Sequence, residues 1–365
     1  MRAETAEFIR DLDDLSKLLK RVELEEELFS QDLTSAPPAF RELLVRLKSS
    51  IEPFALKRAN YSMLVVVLYS SFERFVDRMV VRMVESLNEI IPTFDKLPDS
   101  IRRSHRKKTL DGLADETWLE RQSDPNLARG LIENLHSCEA RLQTYRLNSV
   151  AYARHTANHR VSSIAKTFQE VSVDNITREV ANTEPFRSYI NAESRQRGLF
   201  DESMGAVDDL AARRNDVAHG NTSELLTSQQ LTEYVEFFRV LARSYVTLLR
   251  AQLTRYLVEH KGHRLGKPDE VHYKSVVVLD LELLPPGTLL RRGDLVAMRP
   301  PSGDKQFESG QILNIRTSIG DVESVLAEAK LMAGIELDFR PRKGCTLFVI
   351  SRDTPCPWVA DNSPI

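Results

Sequence analysis

The chain has 365 residues, of which 42% are hydrophobic and 28% charged, with a formal net charge of -3. This is the composition of a globular protein, and the length allows two domains with separate hydrophobic cores. The slightly acidic balance excludes binding of polyanions by overall charge, so a nucleic-acid contact requires a local basic patch. The three cysteines, Cys138, Cys345 and Cys356, lie far apart. Their spacing excludes a disulfide framework and a Cys-x-x-Cys zinc site, and it fits a reducing compartment.

The N-terminus is charged and has no apolar signal-peptide core. The densest apolar run, residues 63–69, is far shorter than the roughly 20 residues that span a bilayer. We therefore expect a cytoplasmic protein with no membrane partner.

Apolar residues at three- and four-residue steps predict a mainly helical region up to a composition break near residue 262. The predicted helices cover residues 4–29, 54–91, 126–145, 164–171, 175–181 and 227–260. A further helix ends at Gly220, a residue type that suits the left-handed position after a helix. The helix from residue 227 begins with Thr227-x-x-Gln230, the pattern of a capping box. In the longest helix, one face is predicted to contact a core: Phe72, Val76, Met79, Met83, Leu87 and Ile90.

Beyond residue 262, short β-branched runs between Gly- and Pro-containing turns predict strands. The candidate strands are residues 274–281, 294–298, 311–316, 334–339 and 346–351. Several short strands at this spacing predict a small β-barrel. We therefore expect an α+β fold with two domains, mainly a helical bundle followed by the barrel. The predicted boundaries are a helical extension at 1–50, a helical domain at 51–262, a barrel at 270–352 and a tail at 353–365.

The segment from Arg214 to Gly220 contains the residue types that metal-free RNA cleavage requires. A base must take the proton of the 2′-hydroxyl, and His219 suits this because histidine titrates near neutrality. A fixed cation must stabilise charge on the phosphate oxygens, and the guanidinium of Arg214 supplies it. Asn215 is the candidate that aligns either group or the substrate. Positions five apart on a helix diverge by about 140°, so a second copy of the motif would complete the site more naturally than one copy alone.

The sequence Arg214-Asn215-x-x-x-His219 followed by Gly, late in a helical region, resembles the signature of the HEPN superfamily. The segments LYSSFERFVDRM, SSIAKTFQEVSVDN and TSQQLTEYVEFFRVLARSY are similar to the core helices of standalone bacterial HEPN proteins, and the resemblance covers about residues 50–258. It implies a homodimeric, metal-independent endoribonuclease that leaves a 2′,3′-cyclic phosphate. It also implies a toxin or phage-defence role, with an antitoxin or defence-system partner. One HEPN subgroup has a modified Tyr two residues after the His; Asn221 stands there, so we do not expect that regulation.

Several residues outside the motif are candidates for supporting roles. Glu73 either orients Arg214 or packs at the edge of the domain, and Asp216 lies within the motif. A basic set either contacts the RNA backbone or forms a solvated face: Arg102, Arg103, Arg106, Lys107, Lys108 and Arg213. His155 and His159 have the spacing of metal ligands on a helix, but no carboxylate or Cys ligand lies near them in the sequence. We therefore expect no metal and no cofactor.

The C-terminal sequence resembles the second-domain β-barrel of translational GTPases in the order of Gly293-Asp294, Gly310 and Lys343-Gly344. A barrel used for oligomerisation or partner docking is favoured over one that contacts RNA or the ribosome. Two alternatives to a nuclease stay open. One is a non-catalytic HEPN adaptor for dimerisation or RNA binding, and the other is a binding protein whose barrel is the working part.

Overall fold

The structure is a computed structural model that describes residues 1–31, 37–50, 52–155, 157–193, 204–221, 224–268, 270–273, 275–301, 307–327, 331–354 and 356. The α-helices are α1 (Arg2–Ser30), α2 (Pro38–Ser50), α3 (Pro53–Ile90), α4 (Asp99–Leu113), α5 (Glu116–Glu120), α6 (Leu127–Glu139), α7 (Ser149–Tyr152), α8 (Val161–Gln169), α9 (Ile176–Ala181), α10 (Glu184–Glu193), α11 (Gly205–Ala218) and α12 (Ser228–Lys261). The strands are β1 (His263–Gly266), β2 (Glu270–His272), β3 (Val276–Asp280), β4 (Leu289–Arg291), β5 (Leu295–Arg299), β6 (Glu308–Thr317), β7 (Gly320–Val322), β8 (Ser324–Leu326), β9 (Met332–Leu337) and β10 (Thr346–Ile350). Helices thus give way to strands after Lys261, and the predicted α+β class is confirmed.

The chain forms two compact units. Unit 1 comprises Met1–Met79, His155–Gln169 and Asp174–Val246, and unit 2 comprises Val80–Arg154, Glu170–Val173 and Thr247–Ile365. The predicted domain boundaries stay predictions. Most of the tail predicted at 353–365 lies outside the described residues.

Aromatic side chains form the core of unit 1. Phe8 of α1 stacks on Phe75 of α3, with 4.8 Å between the ring centres. Phe72 of α3 meets Phe238 of α12 edge to face at 4.7 Å. Of the predicted apolar stripe of α3, Phe72, Val76 and Met79 belong to this unit and are buried. Met83, Leu87 and Ile90 are buried as well and belong to unit 2. Burial of such large apolar side chains is the main driving force that holds these helices together.

The basic stretch at 101–108, expected on the surface, lies within α4 in unit 2. Ile101, His105 and Thr109 follow one another at four-residue steps, and all three are buried. One side of the helix therefore belongs to a core and the charged residues occupy the other sides. The predicted helix at 126–145 is shorter than expected, because Arg141 takes a left-handed conformation (φ 52°) and α6 ends at Glu139.

The strands of unit 2 form one eight-stranded antiparallel sheet and a separate two-stranded ladder of β4 and β8. In the large sheet the order is β1-β10-β5-β6-β9-β3-β2, and β7 pairs with β6. The path ends at β1 and β2, and the described strands form a half-barrel where the sequence predicts a small β-barrel. Alternate side chains such as Val277, Ile315 and Ile335 fill one hydrophobic core.

The contact between β6 and Asp338 depends on a residue without a side chain. A Cβ atom added at Gly310 would lie 1.7 Å from Oδ1 of Asp338, closer than any non-bonded contact allows. The same carboxylate oxygen accepts a hydrogen bond from the backbone N–H of Gln311 at 2.8 Å. Gly310 thus permits the close approach that joins β6 to the turn after β9.

Among the described residues, each helix is too short or too polar to serve as a membrane span.

Candidate functional site

Helix α11 presents the motif at its C-terminal end. Val207, Leu210 and Ala211 are buried on one face of this helix. Arg214 follows Leu210 by four positions and Ala211 by three, so its side chain continues the buried face. The guanidinium is therefore directed onto the edge of the unit 1 core, where it is half-buried.

The motif helix ends as its sequence predicted. Gly220 takes a left-handed conformation (φ 74°). Its N–H donates to the carbonyl of Val217 at 3.2 Å, and the N–H of Asn221 donates to the carbonyl of Asp216 at 2.8 Å. These two bonds form a Schellman motif, which satisfies carbonyls that the end of the helix leaves open. His219, immediately before the glycine, is exposed, and its backbone is no longer helical (φ -96°, ψ 3°).

Arg214 contacts an aromatic ring and an amide. Its guanidinium carbon lies 5.6 Å from the centre of the Tyr69 ring, and Nη1 donates to Oδ1 of Asn215 at 3.3 Å. Within the described part of the chain it has no ion pair, whereas neighbouring Arg213 is paired with Asp209 at 2.7 Å. Arg214 is therefore a half-buried cation whose charge is available to an anionic ligand.

Asn215 is held by a residue that the sequence analysis did not identify. Nδ2 of Asn158 donates to Oδ1 of Asn215 at 2.6 Å. The oxygen of Asn215 is thus occupied by Asn158 and Arg214, and its amide nitrogen is left to donate elsewhere. Asn158 belongs to the polar segment before α8. This segment is rich in Asn, Ser and His, which indicates a polar site. Nothing in the sequence shows which of these residues faces α11.

Glu73 is linked to Arg214 through Tyr69. The Tyr69 hydroxyl donates to Oε1 of Glu73 at 3.0 Å and accepts the backbone N–H of His159 at 2.7 Å. Burial raises the pKa of this hydroxyl above its ordinary value, and the carboxylate of Glu73 raises it further. The hydroxyl therefore stays protonated and fixes the ring on which Arg214 rests. Glu73 thus orients Tyr69, while its predicted role toward Arg214 stays a prediction.

A second polar cluster lies in unit 1, at Asp77 of α3. Nε2 of His159 lies 2.8 Å from Oδ1 of Asp77, and Nε2 of His155 lies 3.2 Å from Oδ2. Burial raises the pKa of the Asp77 carboxyl, but the bonds from both histidines outweigh it and leave the pKa below its usual range. Bonding to Asp77 raises the pKa of His155. The histidines lie in the irregular segment between α7 and α8, not on the helix that their spacing suggested.

Four of the remaining predicted residues are already ion-paired. Asp216 is exposed. Arg213 donates to the Tyr61 hydroxyl at 3.3 Å as well as to Asp209. In unit 2, Arg102 is paired with Asp95 and Asp99, Arg106 with Glu139, and Lys108 with Glu170. Ion pairing reduces the local positive charge of the basic stretch, and its contact with RNA stays a prediction.

Helices α11 and α12 together indicate which type of domain the helices of this chain form. The capping box that opens α12 is present, since the N–H of Thr227 donates to Oε1 of Gln230 at 2.9 Å and the N–H of Gln230 donates to Oγ1 of Thr227 at 3.2 Å. A motif helix with an Arg-Asn-x-x-x-His end, followed by this long capped helix, is the arrangement of a HEPN-type domain.

The chain belongs to the family described as RiboL-PSP-HEPN, whose model matches residues 9–251. The matched region covers α11 and most of α1 and α12, and it ends before the first strand. No curated protein matches the chain. No solved structure matches it either, so the resemblance of the C-terminal sheet to the second domain of translational GTPases is not confirmed.

Proposed function

We propose that the chain is an endoribonuclease of HEPN type that cleaves RNA by attack of the 2′-hydroxyl, with no metal ion at the reacting phosphate. The observation that supports it most directly is the state of Arg214. This guanidinium is half-buried, rests on Tyr69 and has no ion pair among the described residues. A phosphate oxygen is the ligand that completes such a site, because guanidinium groups bind phosphate with paired N–H donors.

His219 takes the proton of the 2′-hydroxyl as that oxygen attacks phosphorus. The bond from phosphorus to the 5′-oxygen breaks, the 5′-oxygen gains a proton, and a 2′,3′-cyclic phosphate forms. Arg214 stabilises the negative charge on the non-bridging oxygens, and Asn215 aligns the phosphate through its amide nitrogen. Because His219 is exposed at the helix end, its imidazole can reach a substrate bound over α11.

A homodimer is part of this proposal. One imidazole accepts the 2′ proton and another group must supply the proton to the 5′-oxygen. A second copy of the motif, brought next to the first, provides both from the same residue type. Cleavage of cellular RNA by such a dimer suits a toxin or phage-defence effector that an antitoxin or defence-system partner restrains.

The test is cleavage of total cellular RNA by the purified full-length chain in EDTA. We expect cleavage that leaves 2′,3′-cyclic phosphate ends, and we expect His219→Ala and Arg214→Ala to reduce the rate by at least about 100-fold. His136→Ala is the matched control, since His136 is also an exposed histidine in the last turn of a helix. Cleavage that EDTA abolishes contradicts the mechanism. RNA binding without cleavage by the wild type favours the non-catalytic adaptor.

A further inference from the structure

Three metal-ligating side chains converge on one point of unit 1. Asp77, on α3, is 78 positions from His155 in the chain. One ligand atom from each of Asp77, His155 and His159 lies within 4.8 Å of the others. His159 is only 1% exposed, while the side chains of Asp77 and His155 are 25% and 30% exposed. The cluster is therefore closed on the side of His159 and open on the other.

The hydrogen bonds of His155 fix which ring nitrogen faces the carboxylate. Its Nδ1 lies 2.9 Å from the carbonyl oxygen of Ala157. A carbonyl oxygen only accepts, so Nδ1 carries a proton. Nε2 donates to Asp77 when the ring is protonated, and it offers a lone pair to a metal ion once that second proton has left. That lone pair faces Oδ2 of Asp77 at 3.2 Å. Two acceptors at this distance repel each other unless a cation lies between them.

The Ala157 carbonyl accepts a hydrogen bond from His155 in the way that groups next to a metal-bound histidine do. Metal-bound histidines donate their second ring N–H to a carbonyl or carboxylate, and this bond fixes the nitrogen that faces the metal. In His155 that nitrogen is Nε2, the atom directed at Asp77. A backbone carbonyl is a fixed acceptor, so the orientation does not depend on another flexible side chain.

The spacing of the ligand atoms is close to that of a bound ion. Tetrahedral bonds of about 2.0–2.1 Å place neighbouring ligand atoms about 3.3–3.4 Å apart. The distance from Nε2 of His159 to Oδ1 of Asp77 is 2.8 Å, that from Nε2 of His155 to Oδ2 is 3.2 Å, and the ligand atoms all lie within 4.8 Å of one another. Modest shifts of these side chains would therefore admit an ion, and the open side leaves room for water as a further ligand.

We propose that Asp77, His155 and His159 bind one divalent first-row transition metal ion of the zinc type. Two imidazoles and one carboxylate are the ligands these ions use in sites that keep a coordination position open. The ion fastens the segment before α8 to α3. That segment already has two contacts that do not need the ion, the bond of Asn158 to Asn215 and the bond of the His159 N–H to the Tyr69 hydroxyl, so the motif keeps its geometry without it. The proposal goes beyond the nuclease reaction and supplies none of its steps.

One feature of the cluster weakens binding. Nδ1 of His159 is buried and has no hydrogen-bond partner among the described residues. With Nε2 on a metal, this nitrogen carries the proton and its donor is unsatisfied. We therefore expect a lower affinity than that of closed four-ligand zinc sites.

The test measures metal binding by the full-length chain without RNA. Protein freed of metal by chelation is titrated with Zn²⁺ by calorimetry and with Co²⁺ by visible absorption. We expect one ion per chain and the intense d–d bands of Co²⁺ in a nitrogen-containing site of low coordination number. We expect Asp77→Asn and His155→Ala to weaken binding by more than about 100-fold, the upper end for loss of an outer partner alone. His155 is partly exposed, so its variant keeps the test valid if Asp77→Asn does not fold.

His272→Ala is the matched control. His272 forms a His–carboxylate pair with Glu270 at 2.8 Å, but it belongs to no three-ligand cluster among the described residues. Its variant should bind the ion as the wild type does. A wild type that binds neither ion overturns the proposal and assigns the cation between His155 and Asp77 as a proton. Unchanged binding by both cluster variants also overturns it. Neither result bears on RNA cleavage in EDTA, so this proposal and the nuclease fail separately.

Discussion

The guanidinium of Arg214 lies over the ring of Tyr69, with 5.6 Å from its central carbon to the ring centre. The hydroxyl of the same ring is bonded to Glu73 on α3 and to the backbone of His159. One buried tyrosine therefore joins the motif helix, the longest helix and the segment before α8. Its ring and its hydroxyl have separate functions, and two substitutions distinguish them.

Tyr69→Phe keeps the ring and removes the hydroxyl. Loss of the acceptor leaves the buried N–H of His159 unpaired, which should lower the free energy of unfolding by about 1–3 kcal/mol. Tyr69→Leu removes the ring as well, and with it the cation–π contact. We expect RNA cleavage by Tyr69→Leu to be about tenfold slower than by Tyr69→Phe, the ratio that an interaction of about 1–2 kcal/mol gives. Urea unfolding and initial cleavage rates measure the two effects. Equal rates in the two variants would show that the ring does not position Arg214.

Asn158 is expected to position Asn215 rather than to contact the substrate. Its Nδ2 occupies the Asn215 oxygen at 2.6 Å and so fixes which end of that amide faces outward. Asn158→Ala frees the amide to rotate, and we expect kcat for RNA cleavage to fall by about tenfold with KM unchanged. Asn126→Ala is the control, since Asn126 is exposed and its side chain caps no helix. A change in KM alone would instead place Asn158 in contact with RNA.

Local sequence rules predict some features of this site and not others. The motif, the left-handed Gly220 and the capping box of Thr227 and Gln230 depend on neighbours within one or two helical turns, so local rules predict them. Asn158 and the Asp77 cluster depend on contacts between distant segments. Asp77 lies within the amphipathic pattern of α3, and nothing local distinguishes it from other charged residues of that helix. His155 and His159 have the spacing of metal ligands in the sequence, but only the fold brings Asp77 to them.

The same limit applies to the sheet and to α4. Regular β-branched runs predict β3, β5, β6, β9 and β10, whereas the three- and four-residue strands are too short for a periodic pattern. The basic stretch is visible in the sequence, but the carboxylates that pair with Arg106 and Lys108 lie on other segments. A charged run therefore identifies a candidate surface without showing how much of its charge remains free.

His105 makes the stability of unit 2 sensitive to acid. The side chain is fully buried beside Phe94, and neither ring nitrogen has a partner among the described residues. Burial lowers the pKa of His105 from 6.5 to about 4, and Glu139 opposes this with a smaller effect. Above pH 6.5 the imidazole is neutral in both the folded and the unfolded chain. As the pH falls below 6.5, the unfolded chain takes up the proton and the folded chain does not, so stability decreases until the pH reaches about 4.

Between pH 7 and pH 5 this residue should lower the free energy of unfolding by about 2 kcal/mol. Urea unfolding of the wild type and of His105→Leu at both pH values measures it, because the leucine variant lacks the titrating group but keeps an apolar side chain of similar size. We expect the loss of stability on acidification to be smaller in the variant by that amount. An equal loss in both proteins would mean that folding does not lower the pKa of His105.

Phe8 tests whether α1 is part of the helical core or an extension of it. The ring is 2% exposed, stacks on Phe75 at 4.8 Å and lies 6.3 Å from Phe72. Phe8→Ala removes this contact and leaves a cavity that packed neighbours fill only in part, which should lower the free energy of unfolding by about 3–5 kcal/mol. Leu24→Ala is the control on the same helix, because Leu24 is 52% exposed and its loss should change stability by less than about 0.5 kcal/mol. Urea unfolding followed by near-UV circular dichroism measures both. A cost for Phe8→Ala as small as that of Leu24→Ala would show that α1 is a separable extension, and that the core of unit 1 is complete without it.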